Sequence, residues 1–126
     1  MKSKESIAAI NALHLFQPLA AVIPASREDC LAWVGIYPLD LGQEASIEFL
    51  LSKGQPIPLP NVHVYHIRRF EVSKCLVEKD VWISEADLQH KKSEFAYGDE
   101  DLSKKLSLIG VTLEKFALPY RSNYPI

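Results

Sequence analysis

Three prolines at alternate positions in Gln55-Pro56-Ile57-Pro58-Leu59-Pro60 constrain this fold more than any other stretch. Each pyrrolidine ring locks φ and removes a backbone N–H, so the segment can be neither a helix nor an inner strand. It must be an extended connector, and it divides the chain into two halves of different periodicity.

Before the connector the apolar spacing is helical. Ile7, Ile10 and Leu13 recur every three residues within Ser3 to Phe16, and Pro18 limits any extension. Ser26 followed by Arg27-Glu28-Asp29 has the form of a cap with acids in a first turn, which predicts a second helix through Cys30, Leu31, Trp33 and Val34, ending at Gly35. A third helix is expected from Gln43 to Lys53, with Ile47, Leu50 and Leu51 on one face, Phe49 to one side and Gly54 at the C-terminal cap.

After the connector, Asn61 to Phe70 alternates. Val62, Val64 and His66 fall on one side and His63, Tyr65 and Ile67 on the other, the period of a strand buried in part on both faces. One or two more strands are expected between Glu71 and Ile83, broken near Glu78-Lys79-Asp80. Ser84-Glu85-Ala86-Asp87 repeats the cap pattern and predicts a helix to Phe95, and Gly98-Asp99-Glu100-Asp101 opens another through Leu102, Leu106 and Ile109 to Gly110. Val111 to Leu118 fits either a strand or a helical turn. The expected class is α+β, with mixed α/β left open: N-terminal helices, a small central sheet and C-terminal helices in one domain over residues 1–126.

Charge and composition narrow the function. A length of 126 residues suffices for one core without staples, and 48% hydrophobic against 24% charged residues is the globular balance. The net charge is −2 and no run of five Lys and Arg occurs, so nucleic acid is not expected as a ligand. No apolar run is long enough to span a membrane and no export signal is evident, so a cytoplasmic protein is expected. Cys30 and Cys75, each in apolar context, read as free thiols in a reducing compartment.

Chemistry is sparse. His63 and His66 stand three apart on a strand and point to opposite faces, so they do not converge on a metal ion. His14 and His90 are isolated in helical patterns. There is no Gly-x-Ser-x-Gly elbow, the five glycines are scattered singly, and no cofactor-binding motif appears. Dispersed carboxylates leave no local trace, which keeps a small Asp/Glu/His enzyme as an alternative, together with a subunit or adaptor of a larger assembly. Arg68 and Arg69 point to opposite faces, and one of them should reach solvent or an internal carboxylate. Trp33 and Trp82 are expected in the core.

Two segments have the composition of contact surfaces. Asp99-Glu100-Asp101 is the densest acidic cluster; it complements the dipole of the helix it opens, and Glu100 and Asp101 stand four residues before Lys104 and Lys105. The tail Pro119-Tyr120-Arg121-Ser122-Asn123-Tyr124-Pro125-Ile126 is rich in the residue types that anchor interfaces, whereas ends free to fray are usually small and charged. Its rings can equally fold back on the domain.

Asp80-Val81-Trp82-Ile83-Ser84, the acidic Gly98-Asp99-Glu100-Asp101 turn and the tyrosine-rich tail together resemble small immunity proteins of bacterial toxin systems, including contact-dependent growth inhibition. The resemblance covers the C-terminal half. It implies a cytoplasmic, non-catalytic protein that binds a toxin domain, often a nuclease, and blocks it. On that expectation Asp99, Glu100 and Asp101 complement partner charge, and Tyr120, Arg121 and Tyr124 anchor the complex.

Overall fold

The computed structural model describes residues 4–79, 83–122 and 124–125. Its framework is a four-stranded antiparallel meander in the order β1 (Leu19–Ile23), β2 (Cys30–Leu39), β3 (Val64–Ser73) and β4 (Gln89–Tyr97). The helices are α1 (Lys4–His14), α2 (Glu44–Ser52), the short α3 (Lys74–Glu78) and α4 (Asp99–Ile109). The class is α+β as expected, with α1 before the sheet, α4 after it, and α2 and α3 between its strands.

One face of the sheet carries the main core. Ala21, Val34, Ile36, Tyr65 and Ile67 point to it and pack against Ile10 and Leu13 of α1 and Leu102 and Leu106 of α4, closed at one end by Val111, Leu113 and Phe116. Both helices sit there because their apolar residues repeat at three and four positions, a stripe matched to a flat apolar surface. Gly110, at φ 90°, ends α4 in the left-handed conformation that a residue with a Cβ adopts at a cost.

The second face is covered only at its two ends. At one end α2 brings Leu50 over Val64 and Phe95, and the proline connector is tied down where the Tyr97 hydroxyl donates to the Pro56 carbonyl at 2.7 Å. At the other end Trp33, Phe70, Val72 and Leu88 form a cluster that Leu76, Val77, Ile83 and Tyr124 join.

Three expectations are corrected. Cys30 to Val34 is not a helix but part of the long strand β2, paired on both edges with β1 and β3. The local cap signal lost to pairing: Ser26 donates from its N–H and hydroxyl to the carboxylate of Glu71, which is 3% exposed, and that bond shapes a β1–β2 turn rather than a helix start. Gly35 is not a helix stop; it lies mid-strand, where a Cβ would collide with the Tyr124 hydroxyl and come 3.1 Å from Tyr37 Cε2.

Glu71 to Ser73 completes β3, but Cys75-Leu76-Val77 is helical in α3 rather than a further strand. Ser84 and Asp87 form the capping box that their spacing predicts, yet it closes a single 3₁₀ turn over Glu85–Asp87, and the chain then runs as β4 where a helix was expected. Pairing with β3 from Val64 to Glu71 outweighs helix propensity there, because it satisfies a whole row of backbone groups. Leu113–Lys115 is a 3₁₀ turn, which resolves the segment left open between strand and turn. Trp33 is in the core at 2% exposure; Trp82 lies outside the described residues.

Candidate functional site

Between the two covered ends, the middle of the second face opens into a cleft of about 620 Å³. Its position follows from strand alternation. Tyr37 of β2, His66 and Arg68 of β3, and Lys91 and Ser93 of β4 all point to this face, and Phe49 and Lys53 reach in from α2 and its C-terminal end. Glu85, on the 3₁₀ turn, and Lys92 complete the wall.

The floor is aromatic. The His66 ring lies 4.8 Å from Phe95 in near-parallel stacking, 5.2 Å from Phe49 edge-on, and 6.2 Å from Tyr37. Ser93 Oγ and His66 Nε2 are hydrogen-bonded. The rim is cationic: among the described residues its lining carries Lys53, Arg68 and Lys91 beside the carboxylate of Glu85, with Lys92, which pairs with Arg69, at the margin shared with the other face. Arg68 Nη2 donates to both Glu85 oxygens, at 2.9 and 2.7 Å, and Lys91 Nζ stands 3.6 Å away. The hydrogen bond from Arg68 holds the Glu85 carboxyl below its usual value against a smaller desolvation penalty. This is the internal carboxylate expected for one of the two arginines; Arg69, on the opposite face, lines a separate depression with Ile67 and Ile109.

Burial pushes the His66 imidazole down to a pKa of about 4, helped by the positive fields of Arg68 and Lys53. Folding therefore favours the neutral ring. The unfolded chain binds its proton from the ordinary value of 6.5 downward, so the stabilisation is complete above that value and is lost as pH falls toward about 4. Because the ring borders an open cleft, solvent screening limits the effect to about 1–2 kcal/mol. Urea titrations across this window should show wild type losing that much more stability than His66→Gln; parallel curves for the two proteins would refute the assignment.

The acidic cluster turns inward in part. Asp99 accepts from the Tyr65 hydroxyl at 2.5 Å and stands 2.9 Å from His14 Nε2. His14 in turn stacks on His63 with centroids 4.0 Å apart, so the histidine expected to stand isolated in α1 meets, across the fold, one considered with His66. Burial alone raises the Asp99 pKa, but the bonds from Tyr65 and His14 and the fields of His14 and His63 outweigh it, and the carboxyl titrates below its normal value. Asp101 accepts from the Tyr97 N–H at 2.9 Å and pairs with Lys105 at 3.5 Å. Glu100 is exposed. The three acids thus do not form one surface: two fasten the start of α4 to the sheet.

The tail divides similarly. Tyr124 folds back, its ring 5.3 Å from Phe70 and its hydroxyl bonded to that of Tyr37. Burial and that bond raise its pKa. Arg121 is exposed, and the side chain of Tyr120 lies outside the described residues.

The cleft residues Tyr37, Phe49, Lys53, Lys91 and Lys92 escaped the sequence reading. The available signal was the pair Lys91-Lys92 in a segment whose alternation is masked, because six consecutive residues of β4 from Gln89 are exposed. Lysines on such an edge also discourage pairing with another chain.

Among the described residues, no group of three or more His, Cys, Asp or Glu side chains is placed to hold a metal ion, and no helix is long and apolar enough to cross a membrane. The chain matches no protein-family model, and no curated protein or solved structure is detectably similar to it.

Proposed function

We propose that this chain is a non-catalytic binding protein that neutralises a cognate bacterial toxin domain in the cytoplasm by direct complex formation, with the sheet cleft as its docking surface. The observation that supports this most is the gathering of Lys53, Arg68 and Lys91 over an aromatic floor in a chain whose net charge is −2. Aromatic area with arginine beside it is the composition of interface hot spots, and the flanking lysines steer encounter with negative charge.

Asp99, Asp101 and Tyr124 act in this reading as supports that hold α4 and β2 in place. The exposed Glu100 keeps its expected charge-complementing role, and the exposed Arg121, expected as an anchor, acts here as a peripheral charge; such charges set encounter rates more than affinity.

Mixing the protein with the product of a neighbouring toxin-like gene should yield a complex at micromolar concentration. Lys53→Glu with Lys91→Glu should weaken it by about tenfold or more without altering the melting temperature. No complex, or a complex indifferent to the double reversal, would refute the proposal.

A further inference from the structure

The cleft is occupied in part by the protein itself. Among the described residues lining the cleft, Glu85 brings the one carboxylate, and it sits on Arg68 with Lys91 beside it. The contact is not the best that Arg68 can make. Both oxygens are served by the single nitrogen Nη2, whereas a parallel fork of two N–H groups binds a carboxylate more tightly. The pair is also unequally buried: the Arg68 side chain is 25% exposed and that of Glu85 57%. Arg68 is fixed in the central strand β3, while Glu85 projects from a single 3₁₀ turn whose capping box closes on itself. The cation is therefore pre-organised and the carboxylate is the easier group to displace.

Resting on the reading that the cleft docks a protein partner, we propose that Glu85 is an internal placeholder, and that complex formation replaces its carboxylate on Arg68 with one from an extended acidic segment of the partner. The segment carries an aromatic or aliphatic side chain next to its acid, because the aromatic floor of Tyr37, Phe49 and His66 lies beside the cationic rim. Charge complementarity selects the occupant: displacement of Glu85 leaves Arg68 and Lys91, with Lys53 on the same lining, facing the cleft. Glu85 meanwhile lowers affinity for weaker acidic competitors, since any occupant must first break an existing pair.

The test is fluorescence anisotropy with the full chain and a fluorescein-labelled peptide of alternating glutamate and tyrosine. Glu85→Gln should tighten binding by about tenfold, and Arg68→Gln should weaken it by about the same factor. Glu94→Gln removes an equal charge from the opposite face of β4, where Glu94 lines the depression beside Ile109, and should leave affinity unchanged. Equal tightening by Glu85→Gln and Glu94→Gln, or no response to either cleft substitution, would overturn the placeholder. So would tighter binding of a short labelled DNA single strand than of the peptide. If Arg68→Gln does not fold, Lys91→Gln on the exposed edge strand takes its place, with an expected loss of about threefold. Peptide binding that follows this pattern, without a toxin complex, counts against the toxin alone. A toxin complex insensitive to Glu85→Gln and Arg68→Gln counts against the placeholder alone.

Discussion

Replacing Tyr124 by Ala should lower the stability of the domain by about 2–4 kcal/mol, read as a shift of the urea midpoint at unchanged slope. Its ring packs in the cluster of Trp33, Phe70 and Val72, and its hydroxyl holds that of Tyr37. Removal opens a cavity over Phe70 and leaves the Tyr37 hydroxyl to find water. Gly35→Val should cause a loss of similar size from the other side, because the added side chain takes the space of the Tyr124 ring. The two changes should not add: with Tyr124 gone, valine has room, so the double variant should be less destabilised than the sum. Additive losses would mean that Tyr124 does not pack on Gly35. Deleting residues from Arg121 onward should reproduce the loss seen for Tyr124→Ala, and weaken partner binding as well, since Tyr37 lines the cleft.

Asp99→Ala should cost about 2–3 kcal/mol, while Glu100→Ala, one residue away and exposed, should change stability by less than about 0.5 kcal/mol. The contrast follows from what each carboxylate touches. Tyr65 is fully buried and its hydroxyl donates to Asp99, so truncation strands a buried donor and also frees His14. The pH profile supplies a second check. Because the Asp99 carboxyl is held below its ordinary value, its contribution is complete above the normal carboxylate range and is lost as pH falls through the depressed value. Asp99→Asn should therefore flatten the acid limb of the stability curve, and an unchanged limb would show that the carboxylate is not engaged.

Legibility in the sequence tracked the range of the forces involved. α1, α2 and α4 were readable because each carries its own apolar stripe and its own stop, such as Gly54 and Gly110, both at positive φ. β3 was readable from alternation alone. The expected helices over Cys30–Val34 and Ser84–Phe95 failed for one shared reason. In both, a cap-like serine and nearby acids imitate a helix start; Ser84 does cap a turn with Asp87, whereas Ser26 bonds to the distant Glu71, and the residues beyond each belong to strands whose hydrogen bonds go to chain distant in sequence. Local signals report the first turn; they do not report a ladder.

The candidate site shows the same division. Tyr124 and the acids of α4 were singled out by residue type, and type does not say whether an oxygen faces solvent or a buried tyrosine. The cleft drew on three strands, α2 and a 3₁₀ turn, with no motif linking them, so nothing in sequence order brings Lys53 near Lys92 or Glu85 near Arg68.

The amino-acid sequence by itself determined the α+β class, the proline break at mid-chain, the bounds of three helices to within a few residues and the two faces of β3. These depend on periodicities and backbone restrictions that each residue carries wherever it lies. Only the tertiary structure decided that Cys30 to Leu39 is a central strand, that Asp99 and Tyr124 serve the interior, and that Lys53, Arg68 and Lys91 line one cleft. Those outcomes rest on which distant groups satisfy one another once the sheet is paired, and pairing is a property of the whole chain.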